Sequence, residues 1–206
     1  MIRTTAVSRR ELLKRLGMAG AVTLALPEFD RVMAFQRDIL KAGSAPAGVL
    51  SAAEAATLAA ICARIIPTDE SGPGAAEARA SVYIDRALGG WLAPSRDAYT
   101  AGLAAFDAAA RARGNKGFVE LAPAEQDAVL AALEKTPFFA LVRTHTIQGT
   151  FCDPAYGGNA GFVGWDLIGY PGVRLNVTAA DQRMGVPIKP IRRSAYDYAM
   201  FAAGAH

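Results

Sequence analysis

Few residues in this chain are of a type that does chemistry, and their spacing narrows the field further. There are two histidines, His145 and His206. A metal site needs three or four ligands converging on one point, and two imidazoles so far apart are a poor start on one. His145 falls in a helical pattern, where a structural histidine satisfied by hydrogen bonding is the plain reading and a catalytic base the sharper one. Asp153, Asp166 and Asp181 form a candidate carboxylate site, against which stands the commoner role of aspartates as solvated or capping groups. The chain has no Cys-x-x-Cys-His haem attachment, nor four cysteines to hold iron and sulfur. Gly157-Gly158-Asn159-Ala160-Gly161 does not follow a strand in a βαβ unit, and no Gly-Lys-Ser/Thr accompanies it. Catalytic, cofactor-binding and metal-ligating residues are accordingly expected to be none in this chain.

The two cysteines have several readings. Cys62 sits on the apolar stripe of a helix, the usual place of a small buried thiol. Cys152 stands where a later helix exits beside Asp153-Pro154. An internal Cys62–Cys152 bridge, a free pair, and a bond from Cys152 to a cysteine of another subunit are all open in an oxidising compartment.

The elements that must position these residues are helical. Hydrophobic residues make up 52% of the chain and alanine is abundant, which favours helices over strands. Ser51 with Glu54 forms a capping box for a helix through Ile66, with Leu58, Ile61, Cys62 and Ile65 on one face. Residues 76–90 predict a second helix with Val82, Ile84 and Leu88 partly inward. Ser95 caps a third, carrying Tyr99, Leu103 and Phe106, and Gly114 stops it. Pro123 opens a fourth with Val129, Leu130 and Leu133. Thr136-Pro137 opens a fifth with Phe138, Leu141, Val142 and Ile147. The expected fold is therefore mainly α: about five helices, then a glycine- and aromatic-rich loop (149–172), then an extended tail (173–206). The tail is basic at Arg192-Arg193 and bears apolar rings suited to lying along a partner.

The first 34 residues read as an address. Ser8-Arg9-Arg10-Glu11-Leu12-Leu13-Lys14 precedes an apolar run from Leu16 to Leu26, broken by Gly17 and Gly20. Paired arginines ahead of a modest apolar stretch mark the twin-arginine export route. The run is 11 residues long, and a bilayer-spanning helix takes about 20. Val32-Met33-Ala34 is a candidate cleavage site, and retention of the leader is the alternative. A linker follows over 35–50, and one helical domain with its tail over 51–206. The twin-arginine route carries folded, often cofactor-loaded proteins, yet this chain offers no place for a cofactor.

Charge excludes one class of partner. The net charge is +3, but residues 1–34 hold six Arg/Lys and three Asp/Glu, leaving sixteen of each in the rest. Without a basic surplus the remaining chain displaces few counterions from a phosphate backbone, so no nucleic-acid partner is expected.

One stretch of sequence is specific. Phe151-Cys152-Asp153-Pro154-Ala155-Tyr156-Gly157-Gly158-Asn159, followed by Gly164-Trp165-Asp166-Leu167-Ile168-Gly169-Tyr170-Pro171-Gly172, resembles the signature of the gluconate 2-dehydrogenase small-subunit (subunit 3) family. The likeness extends over roughly residues 51–175 and the leader, and departs from the pattern at Ala160-Gly161-Phe162, which lacks charged residues. The resemblance implies a non-catalytic γ subunit of a periplasmic sugar or sugar-acid dehydrogenase, with glucose dehydrogenase γ subunits the nearest likeness. It implies a large FAD-dependent catalytic subunit of the glucose-methanol-choline class as partner, and commonly a multihaem cytochrome c subunit. FAD, with an iron–sulfur cluster or haem c as further candidates, is then expected in partner subunits and none in this chain. The twin-arginine translocase would take the flavoprotein as a passenger of this chain's signal, and membrane association would come through partner subunits. Tyr156, Trp165, Tyr170, Tyr196, Tyr198 and Phe201 become candidate interface anchors; the plain alternative is that Tyr156 and Trp165 pin the loop to its own bundle. A stand-alone enzyme using Asp153 with His145 for acid–base work on a sugar, or a periplasmic binding module, is the competing reading.

Overall fold

The computed structural model describes residues 48–179, 181–185 and 188–201. The export signal with Arg9 and Arg10, the cleavage candidate at residues 32–34, most of the linker and His206 lie outside the described residues.

Six α-helices form among the described residues, with no β-strand. Helix α1 spans Ala52–Ile65 and opens as its sequence predicts: the Glu54 N–H donates to Ser51 Oγ at 3.3 Å, and the Ser51 N–H donates to Glu54 Oε2 at 2.9 Å. The Ser51 hydroxyl also donates to Glu54 Oε2 at 2.7 Å, and this bond, with that from the Ser51 N–H, holds the Glu54 carboxyl below its ordinary pKa by favouring the charged form. Leu58, Ile61 and Cys62 are buried, placing α1 at the centre of the bundle against the helices that follow.

Helix α2 is Ala80–Leu88, shorter than the expected 76–90. Arg79 takes a left-handed backbone (φ 56°), which a helix cannot run through, so residues 75–79 are turns. Ile84 and Leu88 are fully buried, whereas Val82 faces outward. Helix α3 is Arg96–Gly114, with Tyr99, Leu103 and Phe106 buried on one side. Ser95 does not cap it through its side chain; a 3-10 turn at Ala93–Ser95 runs straight into the helix. Nor does Gly114 supply the stop. Asn115 adopts the left-handed conformation and bonds back to Arg111 O at 2.8 Å, a role its short polar side chain tolerates.

Helix α4, Pro123–Leu133, begins at its proline and buries Val129 and Leu130. Helix α5, Pro137–Phe151, is capped by Thr136, which accepts the Phe139 N–H at 3.2 Å. Its inward face departs from expectation: Ile147 is exposed, while His145, Thr146, Gly149 and Thr150 are buried with Val142. The two threonines tolerate burial because each hydroxyl donates to the carbonyl four residues back, Val142 O at 2.7 Å and Thr146 O at 2.8 Å. The aromatic centre joins α3 to its surroundings, with Phe106 meeting Phe118 edge-on at 5.5 Å and Tyr99 meeting Phe138 at 5.4 Å. A short α6, Val163–Leu167, interrupts the glycine-rich loop, and the remainder is irregular apart from 3-10 turns. No described helix is long and apolar enough to cross a membrane.

Candidate functional site

Each chemical candidate has an occupation inside the fold. His145 lies on α5 with its Nδ1 2.8 Å from the Tyr99 hydroxyl, stacked parallel to that ring and edge-on to Trp91. Burial raises the Tyr99 pKa and lowers that of His145. Both groups are therefore neutral, and a single hydrogen bond joins them, its direction set by the imidazole tautomer. Such a pair braces α3 against α5. No hydrogen bond joins His145 to Asp153, so the acid–base couple expected of a stand-alone enzyme is not assembled.

Both cysteines are free. The Thr146 hydroxyl already donates to Val142 O, so the Cys62 thiol, 3.3 Å from Thr146 Oγ1, donates to it. Burial pushes the Cys62 thiol up to about 12, and its enclosure in the core keeps reactive partners from it. Cys152 caps the end of α5, donating its N–H to Gln148 O at 2.8 Å, and its thiol is half-buried and also raised by burial to about 12.

The three aspartates are separate structural groups, and among the described residues no His/Cys/Asp/Glu cluster could hold a metal ion. Asp153 accepts from the Ala155 N–H at 2.9 Å, the Ser194 hydroxyl at 2.6 Å and the Ala195 N–H at 2.8 Å. Asp166 pairs with Arg192 at 2.7 Å, and Asp181 with Arg174 at 3.1 Å. Asp153 and Asp166 thus fasten the tail (188–201) back onto the loop.

The Gly157–Gly161 run is a packing device. Asn159 is fully buried; its Nδ2 donates to Cys152 O and its Oδ1 accepts the Gly164 N–H, both at 2.8 Å. Its own N–H goes to Gly149 O at 2.9 Å. Loop and helix approach so closely that a Cβ on Gly158 would strike the Gly149 carbonyl, and one on Gly164 the Thr150 carbonyl. One asparagine therefore laces the end of α5 to the start of α6.

The aromatics gather around this lacing. Trp165 is 6% exposed; its Nε1–H donates to Phe151 O at 3.0 Å, and Tyr170 meets it edge-on at 4.9 Å. Trp165 thus pins the loop to its own bundle. The Tyr156 and Tyr196 hydroxyls lie 2.6 Å apart, and the Tyr198 hydroxyl donates to Val173 O at 2.9 Å. Phe201 and Tyr170 remain exposed. Between loop and tail an open groove of about 450 Å³ is lined by Phe151, Asp153, Tyr156, Trp165, Ile168, Tyr170 and Tyr196.

Residues 52–172 match the family model described as gluconate 2-dehydrogenase subunit 3. This chain belongs to the gluconate 2-dehydrogenase subunit 3 family. No curated protein and no solved structure matches it.

The family is that of a subunit of a dehydrogenase complex. The subunit 3 match ends at Gly172, but the fold of the matched region does not. Ile191 N–H bonds to Pro171 O, Arg192 to Asp166, and Ser194 to Asp153. Sequence reading missed Ser194, Asn159 and the tail clasp. Ser194 had one available signal: with Asp197 three residues on it forms a capping box, the same pattern that marked Ser51.

Proposed function

We propose that this chain is the small, non-catalytic subunit of a periplasmic FAD-dependent glucose or sugar dehydrogenase. It would escort the flavoprotein catalytic subunit through the twin-arginine route. The observation that carries this reading is the subunit 3 match over residues 52–172, which takes in the bundle and the glycine-rich loop. The paired Arg9-Arg10 ahead of a short apolar run adds the address. The local structural partners of His145, Asp153 and Cys62 favour a scaffold over a catalyst.

In this reading the catalytic subunit, of the glucose-methanol-choline class, folds around FAD in the cytoplasm and docks on this chain. The pair then leaves together, and a multihaem cytochrome c subunit takes electrons and holds the assembly at the membrane. Cys152, half-buried at the loop's root, is the residue for a bond to the partner.

Expression of the flavoprotein with this chain, without it, and with Arg9→Lys/Arg10→Lys tests the proposal. Sugar-oxidising activity is expected in the periplasm only with the unaltered chain, and in the cytoplasm with the altered pair. Soluble, flavin-loaded, exported enzyme in the absence of this chain overturns the escort role, and sugar turnover by this chain alone overturns its non-catalytic status. The purified complex run without reductant reads the Cys152 bond as a band heavier than either subunit.

A further inference from the structure

Outward-facing apolar side chains are unevenly placed. Among the described residues, eight of the twelve exposed large hydrophobics lie between Ile168 and Phe201, and four are spread over everything before. Single exposed apolar residues need no explanation, but their concentration in one short segment marks a contact surface. Charge divides at the same place. Residues 48–167 carry nine Arg/Lys against thirteen Asp/Glu, while residues 168–201 carry five against two. The neutrality of the chain beyond its leader therefore conceals an acidic stretch through α6, which includes the loop carboxylates Asp153 and Asp166, and a basic, apolar segment after it.

We propose that this segment is the docking surface for the catalytic subunit, and that the partner's face has an apolar centre with an acidic rim. One apolar side chain of the partner would enter the groove between Tyr156, Trp165, Tyr170 and Tyr196. The proposal rests on the reading of this chain as a dehydrogenase subunit and adds the face used and the chemistry it meets. Ile168, 59% exposed, and Tyr170, 40% exposed, stand on the groove wall as ready contacts. Arg183 and Lys189 are exposed cations of the same segment, while Arg174 and Arg192 are already paired with Asp181 and Asp166.

Two other occupants fit less well. A second copy docked segment to segment would set cations against cations, and docked through its bundle it would expose few large apolar side chains to the segment. An anionic lipid surface is held by clusters of about four to eight free cations, and here two of five are in ion pairs. Nor does a lipid headgroup layer fill an aromatic groove. A folded protein does both: its apolar residue takes the groove, and its carboxylates meet the cations and speed the encounter.

The test uses the complex purified through a tag on the full chain, with three double variants. Ile168→Asp/Tyr170→Asp is expected to lower the flavoprotein retained by about tenfold or more. Arg183→Glu/Lys189→Glu is expected to slow association at low salt, with the difference vanishing at high salt. Val119→Asp/Ile147→Asp, on exposed positions of the bundle, is expected to retain the partner as the unaltered chain does. Unchanged helical circular dichroism in all three keeps the comparison one of surfaces. Retention of the flavoprotein by all three overturns the docking face and leaves the proposed function standing. Self-association of the isolated chain, or its sedimentation with phosphatidylserine vesicles, overturns it in favour of another occupant if Ile168→Asp/Tyr170→Asp abolishes that binding. Failure of the unaltered chain to retain any flavoprotein overturns both readings.

Discussion

In the bundle from Ala52 to Phe151, the large side chains turn inward and the polar groups among them are neutral and paired, Tyr99 with His145 and Cys62 with Thr146. In the longer segment formed by the glycine-rich loop and the tail, Cys152 to Phe201, the arrangement reverses. Carboxylates hold it together, Asp153 on Ser194 and Ala195 and Asp166 on Arg192, while many of its large apolar side chains face outward. Burial of apolar area accumulates into a strong, non-directional hold. Hydrogen bonds to a carboxylate contribute about 1.5–3 kcal/mol apiece and exposed ion pairs about 1 kcal/mol or less, and both yield to water and salt. The bundle is thus the rigid platform, and the segment is the part that a partner can remodel at low cost.

The largest expected effect lies in the platform. Phe106 is fully buried against Phe118 and Phe138. Phe106→Ala is expected to cost about 3–5 kcal/mol, read as a lower midpoint in denaturant melts followed by helical circular dichroism. A cost below about 1 kcal/mol would show that the core is not where the stability resides.

A smaller and more local effect is expected where platform and segment meet. A methyl group on Gly164 would strike the Thr150 carbonyl and come within 3.1 Å of Asn159 Oδ1. Neither is a mobile side-chain end, so Gly164→Ala is expected to cost about 1–3 kcal/mol. The loss should appear as faster proteolysis within residues 152–201 while the helical signal persists. Gly114→Ala, with open space around it, is the control and should be neutral or mildly stabilising. Equal sensitivity of the bundle and the segment to Gly164→Ala would erase the distinction between them.

This division also explains what was legible in the sequence. Apolar residues at helical spacing announced the bundle, because burial of one helix face is what that spacing achieves: Leu58 with Ile61, and Tyr99 with Leu103 and Phe106, all lie inward. Ile147 misled the reading, since hydropathy does not register that a threonine can satisfy its own hydroxyl within the helix and enter the core instead. The glycine-rich stretch was recognisable as a pattern but not as a mechanism. Its contacts join Asn159 to Cys152, Asp153 to Ser194 and Trp165 to Phe151, pairs separated by 7 to 41 positions with no periodicity to betray them. The tail's docking was illegible for the same reason.

The smallest expected effect separates the two regions by what they respond to. Burial lowers the His145 pKa from its ordinary 6.5, so between the folded and unfolded values the unfolded chain binds a proton that the folded chain does not. Stability from this group is therefore complete above about 6.5 and declines as pH falls below it towards the folded value. His145→Gln should flatten the dependence of the melting midpoint on pH between about 7 and 5, measured against the unaltered chain. The segment's clasps are the Asp153 hydrogen bonds and the Asp166–Arg192 ion pair and involve no histidine, so its resistance to proteolysis should follow salt and not the presence of His145. If His145→Gln leaves the pH dependence of the midpoint unchanged, the imidazole is already solvated in the folded state. The contrast between a dry, neutral bundle and a wet, charged segment then fails at its most sensitive point.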